Sequence, residues 1–326
     1  MLKIGLIQSE KRIFDASSYW RGYGALSLIP TIEAEQLSGI GWQTIIDKDI
    51  IFFANPVTQS ALEQIQFCKM WNKKIWLDYD DDHFNVPEDN DVYEIYMNPP
   101  TKKMIQAIMG LADLMTVSTD ELKIQCLEYA DNIHVVKNAW NTALLPLPED
   151  HNTTKVITWR GGRVRDNDLL TVRDSIISLA KKNQSWSWNF IGSPRYFRNA
   201  GSNIVTHRSI YFGSYFHYFR MMKQSIMIVP LQENIFNLCK TNIAWIEATY
   251  CGAVTVAKDM GEFKGLPIFG YRTEKQFAEI MEYLFSKDSM QDRIELFNKS
   301  KALIETDYSL ETQNHKRIKL IYEVAG

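Results

Sequence analysis

No apolar run in this 326-residue chain is long enough to span a bilayer. The opening MLKIGLIQSEKR reaches charged residues too soon for a secretory signal. Neither membrane insertion nor export is therefore expected, and the sequence reads as cytoplasmic. Cysteine is scarce: Cys68, Cys126, Cys239 and Cys251 lie scattered, without the paired spacing of metal ligands. That pattern suits reduced thiols in packed helices and excludes a disulfide framework or a structural zinc from the expectations. Low-complexity segments and short repeats are absent as well, which leaves an ordinary globular chain.

With 45% hydrophobic and 12% aromatic residues the chain can bury substantial cores, and its length favours about two domains. The formal charge of −3 hides an asymmetry. Lys155 to Arg220 holds eleven Lys and Arg against Asp166, Asp168 and Asp174, whereas Asp78 to Tyr96 holds eight acids and no Lys or Arg. Either block alone can be a solvated face. Two opposed blocks in one chain favour an anionic ligand against the basic one.

Short β-branched or aromatic runs, KIGLIQ, DIIFFAN, KIWLDYD, LMTVS and IHVVKN, alternate with stretches such as TQSALEQIQFCKMWN and TDELKIQCLEYA that carry apolar residues at helical spacing. That is βαβ organisation with a parallel sheet. NTALLPLPEDHNTT, with Pro146 and Pro148, suits a linker. The pattern restarts with KVITWRGG, SWNFIG, NIVTH, SIMIVPL and AVTVAK, and the tail is helical, its last segment free to pack back across the first half. The expected architecture is α/β, two doubly wound Rossmann-like domains with a cleft between them. The expected boundaries are 1–148 plus a returning helix at 309–326 for the first domain and 149–308 for the second. Ligands of such sheets bind at the carboxyl ends of the strands.

One segment after a predicted strand, QENIFNLCKTNIAWIEATYCG, has an unusual polar content. A helix starting near Asn237 or Leu238 would turn its free amides toward the cleft, where an anion is favoured. Lys240 would then sit in the first turn, where the dipole disfavours a cation unless an anion is bound. Glu247, seven residues on, would share its face and could accept hydrogen bonds from a ribose diol. The alternative is an ordinary helix with an exposed Lys–Glu pair.

FNLCKTNIAWIEATYCGAVTVA, ITWRGGRVRDNDLL, DLMTVSTDELK and IHVVKNAWN together resemble the GT-B glycosyltransferases, specifically the retaining branch that uses nucleotide sugars. The similarity runs through most of the chain and is strongest from 110 to 257. The resemblance implies that Glu247 takes the ribose, that Arg163 contacts the donor diphosphate, and that the second domain binds the donor. It implies Arg160, Asn237, Lys240 and Thr241 as further donor contacts. Two positions depart from the family pattern. Cys239 stands where the first of two motif glutamates is expected, leaving Glu233 as the substitute, and Asn167 stands near the expected lysine, leaving Lys240 as its replacement. A catalytically silent nucleotide-sugar binder is compatible with the loss at Cys239.

WLDYDDDHFNVPEDN admits several readings. Its Asp-x-Asp can hold a metal and a nucleotide sugar in a GT-A enzyme, or start a phosphatase of the haloacid dehalogenase type. It can orient an acceptor hydroxyl through Asp80 or Asp81 with Asp82 beside them, or merely cap the next segment. After the first strand, SSYWRGYGAL offers Ser17, Tyr19 and Arg21 as acceptor-side residues by the GT-B resemblance, with Tyr19 and Trp20 equally suited to a core. SPRYFRNAGSNIVTHRSIYFGSYFHYFRMMK interleaves arginine with aromatics, which fits a nucleobase pocket or DNA. The acidic segment and the composition resemble phage-encoded glycosyltransferases, some of which decorate hydroxymethylated DNA. Hydroxymethylated DNA is accordingly the leading acceptor expectation, with a surface glycan or a lipid-linked hydroxyl as alternatives. The expected catalytic set is Asp80, Asp81, Arg163 and Lys240. No metal and no cofactor is expected beyond a nucleotide-diphosphate sugar, with UDP as the expected nucleotide.

Overall fold

The structure, a computed structural model, describes residues 1–7, 16–162, 165–192, 194–197 and 200–326. Arg163, the expected diphosphate contact, and Arg198 of the basic block lie outside the described residues. Among the described residues twelve strands form two six-stranded sheets. The first contains β1 (Leu2–Ile7), β2 (Ile32–Gln36), β3 (Ile50–Ala54), β4 (Lys74–Tyr79), β5 (Leu114–Val117) and β6 (Ile133–Val135), in the order β2-β1-β3-β4-β5-β6. The second contains β7 (Val156–Arg160), β8 (Ser187–Ile191), β9 (Ile204–His207), β10 (Ile226–Val229), β11 (Val254–Lys258) and β12 (Phe269–Tyr271), in the order β12-β11-β10-β7-β8-β9. Every pairing between these strands is parallel.

Parallel sheets are covered by helices on both faces, so their strands read as continuous apolar runs. IIFF of β3 and IMIV of β10 are buried at every position. The strand order reverses between β1 and β3 in one sheet and between β7 and β10 in the other, and each reversal opens a crevice beyond the strand carboxyl ends. The loops after β4, β7 and β10 meet there. β2 and β12 escape the sequence reading because both are edge strands with little apolar content: β2 buries only Ile32, and β12 is three residues around a glycine.

The last helix, Leu310–Ala325, crosses back to the first sheet, where Ile321 is fully buried among Ile4, Leu6, Phe52 and Trp76 and Asn314 Nδ2 donates to the Ala25 carbonyl at 3.0 Å. Backbone bonds from Trp140 N to Tyr308 O and from Leu310 N to Trp140 O tie this return to the linker start. A mixed aromatic core of Trp20, Trp140, Phe219, Trp245 and Tyr250 spans both halves. Among the described residues no helix is long and apolar enough to cross a membrane. All four cysteines are buried free thiols.

Candidate active site

β7 ends at Arg160, which it delivers to the cleft, and Gly161 and Gly162 follow. The neighbouring loop after β8 passes so close that a Cβ on Gly192, whose φ is +111°, would fall 1.7 Å from the Gly161 carbonyl oxygen, so the position requires glycine. The helix Asp166–Leu170 follows, preceded by Arg165. Asp168, 5% exposed, accepts from Gln232 N at 2.9 Å and from Asn237 Nδ2 at 2.8 Å, which orders the loop after β10. Burial pushes its carboxyl upward and Arg165 pulls it back. Asn234 caps the helix Ile235–Leu238 by accepting from Asn237 N.

That helix stops after one turn, which corrects the expectation of one continuous helix carrying Lys240 in its first turn. The next helix runs Ile243–Tyr250, and Lys240 lies between the two. An unbroken helix would offer the Cys239 carbonyl to the amide of Ile243. That carbonyl instead accepts from Thr119 Oγ1 of the first half at 3.1 Å. Thr241 Oγ1 accepts from Asn138 Nδ2 at 3.3 Å, and Cys239 Sγ lies 3.8 Å from Asp82 Oδ2, so residues 239–241 dock on the opposite domain. Lys240 and Glu247 therefore belong to separate elements and do not share a helix face.

Lys240 reaches across the cleft. Its Nζ pairs with Asp81 Oδ1 at 2.5 Å and lies 3.9 Å from the centroid of the Phe236 ring. Burial would raise the Asp81 carboxyl, but Lys240 outweighs it and brings the group down to about 2. Asp80 is pushed the other way, by burial and by Asp81, while it accepts from Ser17 Oγ at 2.8 Å and Asn55 Nδ2 at 2.6 Å. Glu247, 4% exposed, has its Oε2 2.7 Å from Arg160 Nε and accepts there from Tyr215 Oη at 3.0 Å. The Arg160 contact is an ion pair rather than an aligned hydrogen bond, and its Nη2 finds no partner among the described residues. A small pocket open to solvent borders Lys240, walled by Asn90 from the first half and by Arg165, Asp168, Gln232 and Phe236 from the second. Among the described residues no three His, Cys, Asp or Glu side chains are grouped to hold a metal ion.

Other expected site residues are engaged elsewhere. Arg21 is 1% exposed and spends its guanidinium on both Asp78 oxygens at 2.6 and 2.8 Å, on Val136 O and on Asn138 Oδ1, so it is a buried brace with no donor turned to an acceptor. Tyr19 packs on Trp20, Phe212 and Phe216, and burial raises its phenol to about 12. Asp82 accepts from the amides of Phe84 and Asn85 and from Asn85 Nδ2, the turn-forming use weighed for this segment. Glu233 is exposed and pairs with Lys258 Nζ at 2.6 Å. Of the aromatics in the arginine-interleaved segment, Phe197 and Phe219 are fully buried and Phe212 and Phe216 pack on Tyr19 of the first half, while Tyr211 and Tyr218 lie at the surface. Sequence reasoning missed Arg165, Asp168 and Tyr215. Arg165 and Asp168 stand in the quoted GGRVRDNDLL, but only the fold shows that they face Lys240 and Asn237.

The sequence matches no family model and no curated protein. Solved structures do match. A glycosyltransferase from Rickettsia africae ESF-5 superposes with a TM-score of 0.68 at 11% identity, over 99% of this chain and 98% of that one. HepE of Anabaena in complex with UDP and glucose gives 0.68 at 12%, covering 99% and 100%. Sucrose-phosphate synthase of Thermosynechococcus elongatus gives 0.68 at 12%, covering 99% of both. Likeness at such identities is one of fold, and the chain has the GT-B architecture in full.

Proposed function

We propose that the protein is a glycosyltransferase that moves a sugar from a nucleoside-diphosphate sugar to an acceptor hydroxyl. The observation carrying this reading is that the Arg160–Glu247 and Lys240–Asp81 pairs lie around the strand-order reversal between β7 and β10, with Arg165 in the field of both, and that Arg165 and Lys240 wall a pocket bordered by both halves. UDP is the first nucleotide to test, since HepE was solved with UDP and glucose. In this reading residues 149–308 hold the donor, and residues 1–148 with the helix at 309–326 hold the acceptor. Arg165 and Lys240 stabilise the departing diphosphate, an electrostatic effect that counts most where water is excluded. Arg163 completes that set by the family resemblance. Glu247 takes the ribose. Asp80, steadied by Ser17 and Asn55, orients the acceptor hydroxyl, and Asp81 serves as the counterion of Lys240 until the donor arrives. Retention of anomeric configuration is the outcome that the resemblance implies.

The test incubates the protein with radiolabelled UDP-, GDP-, ADP- and dTDP-sugars and two acceptor panels, glycans and hydroxymethylcytosine DNA. Label should enter an acceptor from one donor, and Asp80→Asn should lower that transfer while donor affinity stays within about threefold, a difference under 1 kcal/mol. Donor binding that needs manganese or magnesium and is lost with Asp80 would favour a metal role instead. Donor binding with neither transfer to either panel nor hydrolysis of the donor would favour the silent binder.

A further inference from the structure

Glu247 is buried in the second turn of its helix, yet its recorded contacts come from two other elements. Arg160 ends β7, and Tyr215 sits on the helix Phe212–Met221. Both meet the same oxygen, Oε2, and Oε1 accepts from no group among the described residues. We infer that Arg160 and Tyr215 are positioning residues that hold the Glu247 carboxylate by one oxygen and present the other to the sugar diol of a ribonucleotide, so that together they make the site select ribo- over 2′-deoxyribonucleotides. This rests on the ribose role proposed for Glu247.

The geometry explains why two partners are needed. A buried carboxyl drifts toward its neutral form, whose oxygens are much weaker acceptors for a diol than those of a carboxylate. Burial does push the Glu247 carboxyl upward, and Arg160, Tyr215 and Arg165 oppose it, while the Cys251 thiol, itself raised by burial, lies at the far end of the same helix. Tyr215 is fixed in turn by stacking on Phe219 at 5.2 Å and by Phe216. Its hydroxyl is therefore a rigid donor. Arg160 supplies the charge, and Tyr215 the direction.

Calorimetry with whichever of UDP, GDP and ADP binds the protein, against its 2′-deoxy counterpart, reads the selection directly. The unmodified protein should prefer the ribonucleotide by about tenfold or more, the scale of one hydrogen bond to a charged acceptor. Tyr215→Phe removes one hydroxyl, and Arg160→Lys keeps the charge, so melting curves should show both folded. Tyr215→Phe should lose most of the preference, and lose more of it at the lower of two pH values than at the higher, because the carboxyl freed of one donor ionises later. Arg160→Gln should lose it at both, and Arg160→Lys should restore part of it. A preference that survives undiminished in Tyr215→Phe and Arg160→Gln at both pH values overturns the positioning role while leaving the ribose role of Glu247 intact. No preference in the unmodified protein, or no binding of any of the three nucleotides, overturns both.

Discussion

Asp81 and Lys240 bring opposite domains within 2.5 Å of each other, on side chains that are half exposed and nearly buried respectively. The Asp81 carboxyl titrates at about 2, below its ordinary value of 3.8, because Lys240 outweighs the burial that would raise it. A depressed carboxyl stabilises the fold above the unfolded value, and the contribution is lost as the pH falls from about 4 to about 2. With Asp81 half exposed, that contribution is at most about 1 kcal/mol. Its larger effect concerns ligand binding. A diphosphate must compete with Asp81 for the ammonium, so Asp81→Asn should tighten nucleotide binding by roughly three- to tenfold, the equivalent of about 1 kcal/mol. Lys240→Ala should weaken it by tenfold or more, on the order of 1.5–3 kcal/mol. Weaker binding in Asp81→Asn would show instead that Asp81 is itself a donor ligand.

Elements in this chain are locked by charges that the sequence leaves ambiguous. Asp78 at the end of β4 grips Arg21 just beyond the helix Ala16–Trp20, and Thr116 of β5 donates to the same carboxylate. Removing the acid strands a buried guanidinium, so Asp78→Ala should cost about 3–5 kcal/mol by chemical denaturation. A loss under about 1 kcal/mol would mean that Arg21 finds another partner or water. Ten of the twelve strands, including β4 and β5, were legible because parallel burial writes itself as apolar runs. The break at residues 239–242 was not legible. The only local hint is Thr241–Asn242, residue types that suit the start of a helix, and Asn242 does sit at the N-cap of the second one; the Thr119 hydroxyl that donates to the Cys239 carbonyl stands 120 positions earlier. The same limit governs the site. Lys240 and Glu247 stand out in the sequence as polar residues in an apolar segment, whereas Tyr215 reads as one more aromatic until the fold lays its hydroxyl on Glu247. Arg21 misled for the converse reason: a charged residue in a loop after the first strand suits a cleft, and only the position of Asp78 shows that it is interior.

At the scale of the whole molecule, the last helix belongs to the core of the first half, and the chain's outward and return crossings between the halves pair at Trp140 and Ser309. Ile321→Ala should cost about 2–5 kcal/mol, as for other fully buried aliphatics, with the loss read by denaturant midpoint. A change under about 0.5 kcal/mol would show that the helix is not required by the first half's core. The central claim is that the cleft between the halves binds a nucleoside-diphosphate sugar through Glu247. A thermal-shift titration of the protein and its Glu247→Ala variant against UDP-, GDP-, ADP- and dTDP-sugars tests it most directly. A ligand at about a hundred times its Kd stabilises a fold by about 2.7 kcal/mol, which raises the melting temperature by several degrees. Such a rise is expected with at least one ribonucleotide sugar, and a much smaller one in Glu247→Ala at the same concentration. No shift with any donor at millimolar concentration, or an equal shift in the variant, would contradict it.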